Sequence, residues 1–311
     1  MINVLITGGA GNIGSALAER LCKIAGFKIV VIDNLLTGRR DRLSFLRDGI
    51  DDFVCLDIND PLSFLHPVFS RQFDYVFHYA AVVGVERTIA NPLLVLKDIE
   101  GLKGIFNFAS GSGVKRIFFS SSSEVYGESM SFPQKEDSTP LNSRLPYSII
   151  KNLGEAFCKS YKTEFDLDYT IFRFFNTFGP NQSTDFVLPR FVKLALRGED
   201  LKVFGSGSQT RTFCYVGDNV DVQVKCLLDP SSVCNTLNVG SDIEISVLEL
   251  ARLVIQICES KSKIVFAPPL PEGDMSRRLP DISRMRAILG RDLISLETGI
   301  SILVRSFNGS S

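Results

Sequence analysis

The sequence contains no tryptophan and only two histidines, His66 and His78, which lie apart in the chain. Two isolated imidazoles argue against a histidine-based metal site, so we predict that the protein binds no metal. The seven cysteines show no C-x-x-C spacing. An odd, scattered set of thiols indicates reduced cysteines in the cytoplasm, most of them small core residues.

An excess of charge of either sign is also missing, since 34 Lys and Arg stand against 35 Asp and Glu. This balance gives no sign of a nucleic-acid or membrane-surface protein. No apolar run approaches the length of a membrane helix. The chain begins directly with a strand-like run, residues 2–6, which leaves no place for a signal peptide. We therefore expect a cytoplasmic protein with no nucleic-acid or membrane partner.

A glycine-rich turn organises the start of the chain. The apolar run 2–6 predicts a buried strand, and a helical pattern follows over residues 15–25. Between them, Gly8 allows the turn, Gly11 allows the backbone to approach a pyrophosphate, and Gly14 allows the helix to pack closely. A second predicted strand ends in an acid, Asp33, at the spacing that the dinucleotide-binding fingerprint requires. The combination predicts a dinucleotide site, although Asp33 alone would read as a turn former.

Strands and helices alternate over the first part of the chain. We predict strands at residues 28–33, 52–56, 75–78, 116–120 and 169–175, and helices at 92–110 and 147–164. This alternation predicts an α/β fold with a Rossmann-type, doubly wound parallel sheet. Ligands of such sheets bind at the carboxyl ends of the strands.

The pattern is less regular beyond residue 175. Helices are predicted at 186–196, 246–260 and 284–289, a strand at 201–204, and a frayed tail at 307–311. We predict a dinucleotide-binding domain over 1–175 and a smaller mixed α/β substrate lobe over 176–311, with an interleaved boundary.

A phenol and an amine lie one helical turn apart in the predicted helix 147–164. Tyr147 and Lys151 share a helix face at this spacing, which many helices show by chance. The helix follows a serine-rich strand end that contains Ser122, whose alternative interpretation is a turn that caps backbone groups. An ammonium and a cationic nicotinamide would lower the pKa of Tyr147 and make it a usable base.

These motifs together resemble the extended short-chain dehydrogenase/reductases of the nucleotide-sugar epimerase/dehydratase group, over nearly the whole chain. The matching features are the turn T-G-G-A-G-N-I-G at 7–14, Asp33, Asp57-Ile58, Ala80-Ala81, Ser122 with V-Y-G at 125–127, Tyr147-x-x-x-Lys151, R-F-F-N-T-F-G-P at 173–180, and, in the second lobe, V-F-G-S-G-S-Q-T-R at 203–211 and R-L-P-D at 278–281.

The resemblance implies that NAD is the cofactor. Asp33 would hold the adenosine ribose hydroxyls, which favours NAD over NADP, and Lys151 would bind the nicotinamide ribose. Asp57 and Ile58 would contact the adenine, and Phe175 would flank the nicotinamide. The implied cofactor residues are Gly8, Gly11, Asn12, Ile13, Gly14, Asp33, Asn34, Asp57, Ile58, Ala80, Ala81, Tyr147, Lys151 and Phe175.

The resemblance also implies a nucleotide-diphosphate sugar as substrate. Tyr147 would be the base, with Ser122, Lys151 and Glu124 as the other catalytic residues. Asn176 would face the diphosphate, on which two arginines would converge. The implied substrate residues are Glu86, Ser122, Asn176, Phe204, Arg211 and Arg278. Two helices of the first domain would pair across a two-fold axis and make a homodimer.

The subtype depends on the fate of a 4-keto intermediate. Glu124 resembles the acid of decarboxylases and dehydratases, but Ser123 replaces the aspartate of the dehydratases and Asn152 replaces the arginine of the decarboxylases. Glu86 stands in the loop over the sugar where many epimerases have proline. We therefore predict a 4-epimerase of polysaccharide biosynthesis, with a 4,6-dehydratase, a decarboxylase or a 4-dehydrogenase as alternatives. A non-catalytic NAD-binding scaffold would have a broken Ser/Tyr/Lys set, which is intact here.

Overall fold

The computed structural model describes residues 1–269 and 277–308. The strands are β1 Ile2–Thr7, β2 Phe27–Asp33, β3 Asp52–Cys55, β4 Tyr75–His78, β5 Arg116–Ser122, β6 Asp168–Phe174, β7 Thr177–Phe178, β8 Leu201–Phe204, β9 Thr210–Thr212, β10 Cys214–Tyr215, β11 Asn235–Val239, β12 Glu244–Ser246 and β13 Ile264–Ala267. The α-helices are α1 Asn12–Cys22, α2 Val85–Ala90, α3 Pro92–Leu96, α4 Asp98–Gly111, α5 Pro146–Phe165, α6 Val187–Leu196, α7 Val216–Leu228, α8 Val247–Ile257, α9 Ser283–Leu289 and α10 Leu296–Asn308.

A parallel sheet of seven strands forms the centre of the described part. Its order is β11-β6-β5-β4-β1-β2-β3. Strands β2 and β3 are therefore added on one side of β1, and the later strands, from β4 onward, are added on the other side. One hydrophobic cluster covers the face on which α1 and α7 lie, and a second covers the face of α4 and α5. Strands buried on both faces need continuous apolar runs, which β1 and β2 have. The predicted Rossmann-type doubly wound sheet is confirmed.

The chain beyond residue 175 also forms short strand pairs outside the large sheet. Strand β8 pairs with β13 in parallel, and β9 pairs with β12 in antiparallel fashion. Helices α6, α8 and α10 contribute to a third hydrophobic cluster. A capping box between Ser246 and Glu249 begins α8. Strand β9 lies near the carboxyl end of β6, since Asn176 Nδ2 donates to Thr212 O at 3.1 Å.

Several elements differ from the sequence prediction. The helix predicted at 92–110 is divided at Lys97 into α3 and α4. Helix α7 and strand β11 were not predicted, because buried polar residues such as Asn219, Gln223 and Asn238 interrupt their apolar patterns. The tail predicted to fray from residue 307 continues helix α10 as far as Asn308. Strand β11 joins the large sheet from beyond residue 175, and the division into domains stays a prediction.

Candidate active site

The glycine turn lies against the end of β4. Gly8 has φ +70°, and a Cβ there would be 2.5 Å from the backbone nitrogen of Ala80. A Cβ on Gly14 would lie 2.4 Å from the carbonyl oxygen of Gly8. These short distances exclude any residue larger than glycine at positions 8 and 14. The first turn of α1 is therefore held directly above the carboxyl edge of the sheet.

The beginning of α1 fits the pyrophosphate of a dinucleotide. No side chain caps the helix, and its first turn contains no acid. The first backbone N–H groups of a helix have no partner within it, and they attract anions. Asn12 Oδ1 is buried and has no hydrogen-bond partner. The predicted residues Gly11, Ile13 and Gly14 lie in the same turn, so the arrangement fits the cofactor.

Asp33 is buried at the end of β2 and is held by backbone donors. One carboxylate oxygen accepts from Ala10 N at 2.9 Å and the other from Leu35 N at 2.8 Å. Burial raises the pKa of Asp33, against these two hydrogen bonds and the charge of Arg42. The carboxylate is thereby oriented beside the glycine turn. Asn34 is exposed, and its side chain accepts from Leu36 N at 3.0 Å.

The loop after β3 is fastened to α4 by Asp98, a carboxylate that the sequence pattern did not single out. Asp98 accepts from Val82 N at 2.9 Å and from Asn59 Nδ2 at 2.8 Å, and burial raises its pKa. It joins the segment after Ala80-Ala81 to the segment after Asp57-Ile58. Asp57 is exposed, whereas Ile58 is buried in the core, so a contact of Ile58 with adenine stays a prediction.

Asp98 could have been recognised only if the break at Lys97 had been predicted. In one long helix the acid would lie in mid-helix. In the structure it lies in the first turn of α4, where carboxylates are favoured. Gly101, one turn later, allows the loop to approach, since a Cβ there would be 2.4 Å from Asn59 Oδ1.

Tyr147 and Lys151 lie on one face of α5, as predicted. Lys151 is 4% exposed, and its Nζ donates to Ser120 Oγ at 3.1 Å. The same Nζ lies 5.6 Å from the ring centroid of Tyr147. Burial lowers the pKa of Lys151 to about 8, against the charge of Asp98, which raises it. The ammonium is thus placed beside the phenol.

The lowered pKa predicted for Tyr147 requires a bound cationic nicotinamide, so it stays a prediction for the cofactor-bound enzyme. Burial raises the pKa of this phenol, and the negative charge of Glu124 raises it further. The hydrogen bond with Ser122 and the charge of Arg278 act in the opposite direction but are smaller. Loss of the phenolic proton therefore requires additional positive charge next to the ring.

Ser122 and Glu124 lie in the turn that ends β5. Ser122 Oγ caps this 3-10 turn by accepting from Glu124 N at 3.2 Å. Glu124 Oε1 lies 3.0 Å from Arg278 Nη2, in an ion pair whose side chains are 17% and 9% exposed. Arg278 Nη1 also donates to Ser123 Oγ at 3.4 Å, and its Nε is buried without a partner.

The convergence of Arg278 and Arg211 on a diphosphate stays a prediction. The guanidinium of Arg278 is directed at Glu124 because the segment that contains it packs against the turn after β5. Arg211 is buried on β9, and its Nη1 donates to Thr210 O at 2.7 Å. Arg278 therefore lies at the turn after β5, in contact with Ser123 and Glu124.

The other predicted residues lie around this edge. Asn176 Nδ2 donates to Thr212 O at 3.1 Å, and Phe204 is half-buried at the end of β8. Phe175 is fully buried and packs on Tyr126, with ring centroids 6.2 Å apart. Its ring therefore supports the turn after β5, and its contact with nicotinamide stays a prediction. The side chain of Glu86 lies outside the described part of the structure.

Metal ligands, membrane helices and disulfides are missing from residues 1–269 and 277–308. No group of three or more His, Cys, Asp or Glu side chains there is placed to hold a metal ion. Among the helices of this part, none is both long and apolar enough to cross a bilayer. All seven cysteines are present as thiols without disulfide partners.

Comparison with known proteins agrees with this geometry. Residues 4–240 match the family described as NAD dependent epimerase/dehydratase. The chain is 35% identical to a UDP-N-acetyl-alpha-D-glucosaminuronate decarboxylase from Bacillus cytotoxicus, with 97% of each chain covered. It is 33% identical to UDP-glucuronic acid decarboxylase 1 from Danio rerio, with 98% of this chain and 72% of the relative covered.

A solved structure is similar over the whole length. This is a UDP-glucose 4-epimerase from Thermotoga maritima in complex with UDP-glucose, with a TM-score of 0.92, 29% identity and 99% of each chain covered. The relatives thus perform more than one reaction on nucleotide sugars. The match over most of the chain, together with the glycine turn, Asp33, Tyr147 and Lys151, shows that the protein is an NAD-dependent enzyme and belongs to the NAD-dependent epimerase/dehydratase family.

Proposed function

We propose that the enzyme decarboxylates a UDP-linked hexuronate through a 4-keto intermediate. The observation that carries this proposal is the ion pair between Glu124 and Arg278, 3.0 Å apart, beside Ser122 and Tyr147. A hexuronate differs from a neutral sugar by a carboxylate on C5. Arginine binds carboxylates in charge-assisted hydrogen bonds, and here it is placed at the reacting end of the site.

The first step uses the residues of α5 and the turn after β5. Tyr147 takes the proton of the sugar C4 hydroxyl, and Ser122 donates a hydrogen bond to the same oxygen. Lys151 supplies positive charge that favours the phenolate. The glycine turn and Asp33 would hold NAD, which would supply the hydride acceptor for C4.

Oxidation at C4 makes the sugar a β-keto acid, because the C6 carboxylate is then one carbon removed from the carbonyl. When the C5–C6 bond breaks, carbon dioxide leaves and the electron pair forms an enolate over C5, C4 and its oxygen. Ser122 and the protonated Tyr147 stabilise this oxygen. C5 then takes a proton, and the C4 ketone is reduced.

The Glu124–Arg278 pair suits the carboxylate end of this substrate. The buried Nε–H of Arg278 has no partner, so the guanidinium can bind a carboxylate while Glu124 retains Nη2. Glu124 keeps the pair neutral before substrate binds, which avoids an uncompensated buried cation. Among the acids, Glu124 also has the largest effect on the pKa of Tyr147, and its carboxyl group can relay the proton for C5.

The two decarboxylases among the relatives support this reaction, since both act on uronate sugars by name. The 4-epimerase predicted from the sequence remains the second candidate. Asn152 after Lys151 favours it, as does the structural similarity to the Thermotoga enzyme. An epimerase would return the hydride to the opposite face of C4 and would not require the C6 carboxylate to leave.

Incubation with NAD⁺ and a panel of nucleotide sugars separates the candidates. The panel contains UDP-glucuronate, UDP-N-acetylglucosaminuronate and their neutral counterparts, and products are identified by mass and NMR. We expect a product lighter by one carbon dioxide from one of the uronates. A product of unchanged mass would support the epimerase, and one lighter by water would support the dehydratase.

We also propose that two copies associate through α3 and α5. Leu93 and Leu96 on α3 and Ile149 on α5 are exposed. A monomer mass by light scattering at micromolar concentration would contradict the dimer.

The cytoplasmic location and the role in polysaccharide biosynthesis stay predictions.

A further inference from the structure

The ion pair at the reacting end joins two segments that are far apart in the sequence. Glu124 and Arg278 are separated by 154 positions. No local turn can hold two such groups at a fixed distance. The contacts behind the pair converge on Asn238, a residue of β11 that is 0% exposed.

The side-chain amide of Asn238 both accepts and donates hydrogen bonds. Its Oδ1 accepts from the hydroxyl of Tyr126 at 2.8 Å. Its Nδ2 donates to the carbonyl oxygens of Gln134 at 2.9 Å and Asp281 at 3.2 Å. Its backbone N–H donates to Glu136 Oε1 at 2.8 Å. One side chain thus binds three separate segments of the chain.

These contacts close a ring around the ion pair. Tyr126 lies two residues after Glu124 in the same turn, and Asp281 lies three residues after Arg278. Gln134 fixes the second segment further, because its N–H donates to Leu279 O at 2.7 Å and its carbonyl accepts from Asp281 N at 2.8 Å. The ring therefore runs from Glu124 through Tyr126, Asn238 and Asp281 to Arg278 and back to Glu124.

The ring is anchored to the sheet and to α5. Arg173 Nη1 donates to the hydroxyl of Tyr126 at 2.8 Å. Arg173 also forms a buried bidentate pair with Glu155, at 2.8 and 2.7 Å. Glu155 lies one turn after Lys151 on α5, and Asn238 is the register partner of Arg173. Displacement of Asn238 would thus move Arg278 relative to Tyr147 and Lys151.

We propose that Asn238, acting with Tyr126, is a positioning residue that holds Arg278 against Glu124 and so directs the 4-keto intermediate to loss of carbon dioxide. The inference rests on the proposed function. Small displacements of a positioned charge reduce its effect strongly. Lys151 donates to Ser120 and Tyr147 forms a hydrogen bond with Ser122, and neither hydrogen bond includes the Asn238 amide. Loss of a contact in the ring should therefore affect the release of carbon dioxide more than the hydride transfer that precedes it.

The test uses two variants of different severity. Tyr126→Phe removes only the hydroxyl that links the turn to Asn238. Asn238→Asp keeps the size and the acceptor for Tyr126, but it places an oxygen opposite the carbonyls of Gln134 and Asp281. Tyr161→Phe is the matched control, because it removes another Tyr–Asn hydrogen bond, to Asn107 Oδ1, outside the ring.

Each protein is mixed with NAD⁺ and the uronate that the parent decarboxylates. NADH absorbance in a single turnover reports hydride transfer, and released carbon dioxide reports the second half. We expect hydride transfer within about twofold of the parent and carbon dioxide release about tenfold lower in Tyr126→Phe, with 4-keto sugar released, the scale of one lost hydrogen bond. Asn238→Asp should show a larger shift in the same direction, and Tyr161→Phe none.

If Tyr126→Phe lowers both rates in equal proportion, or changes neither, the positioning role is wrong. The milder variant is decisive alone, so the test does not require Asn238→Asp to fold. Failure of the proposed function is seen separately, in the parent enzyme. A parent that releases no carbon dioxide from any uronate rejects that function, and the inference falls with it.

Discussion

The two ends of the site are built in different ways. The cofactor end is made by a continuous turn and helix, residues 8–22, with Asp33 on the neighbouring strand held by backbone N–H groups. The end that contains Glu124 and Arg278 is made by side chains from the turn after β5, the Gln134–Glu136 segment, β6, β11 and the segment after residue 276.

This contrast determines which substitutions each end tolerates. A site made of backbone groups is sensitive to added volume, because a Cβ collides with the main chain. A site made of buried side-chain contacts is sensitive to loss of a partner, because the remaining group is left unpaired. A substitution at one end should therefore weaken NAD binding or carbon dioxide release without affecting the other. Removal of the proposed base, Tyr147, should stop hydride transfer itself.

Removal of the base is expected to have the largest effect. Tyr147→Phe keeps the ring but removes the hydroxyl that we propose as the acceptor of the C4 proton. Hydride transfer should fall roughly 10²–10⁴-fold. NAD binding, measured by titration calorimetry, should stay close to that of the parent, because the glycine turn and Asp33 are unchanged. Near-parental turnover in this variant would show that another group is the base.

Loss of the arginine should damage only the end that contains it. In Arg278→Gln, Glu124 is left without its cation and the uronate carboxylate loses its partner. We expect release of carbon dioxide to fall roughly 10²-fold, on the scale of a charged hydrogen bond, with NAD affinity unchanged.

Arg277→Gln provides the matched control for this prediction. The neighbouring arginine is exposed and pairs with Glu244, away from the turn after β5. Its replacement should leave carbon dioxide release within about twofold of the parent, since exposed pairs contribute little. Equal losses in the two variants would show that the buried pair has no special role.

Added volume should damage only the cofactor end. In Gly14→Ala the new methyl group would lie 2.4 Å from the carbonyl oxygen of Gly8, so α1 must shift. We expect the free energy of unfolding to fall by about 1–3 kcal/mol, with weaker NAD binding. Gly111→Ala is the control, since a Cβ there meets nothing within 4 Å. Unchanged NAD affinity in Gly14→Ala would contradict the close packing of turn and helix.

The smallest expected effect concerns Asp98, which lies between the two ends. Its negative charge raises the pKa of Lys151, which is about 8, and that of Tyr147. Asp98→Asn keeps the size of the side chain but removes the charge, so both pKa values should fall. The acid and alkaline limbs of the pH–rate profile should therefore move to lower pH by less than about one unit. A shift to higher pH would contradict the assigned sign.

Sequence reasoning named residues of both ends, including Ser122, Glu124 and Arg278, but it predicted the geometry of only the cofactor end. Gly8, Gly14, Asp33, Tyr147 and Lys151 were predicted because each belongs to a short pattern whose spacing carries the geometry. Asn238 and Arg173 were missed because a buried polar residue in a strand looks like a break in the apolar pattern until its partner is known. The pairing of Arg278 with Glu124 depends on a contact over 154 positions, which no local spacing encodes.

Removal of the C6 carboxylate from a UDP-linked hexuronate is the proposed reaction of the site. The most direct measurement supplies UDP-glucuronate and UDP-N-acetylglucosaminuronate labelled with carbon-13 at C6, with NAD⁺, and follows labelled carbon dioxide in the headspace together with the sugar product by NMR. We expect release of the label in step with formation of a pentose product. Quantitative retention of the label in a C4-inverted uronate would contradict it.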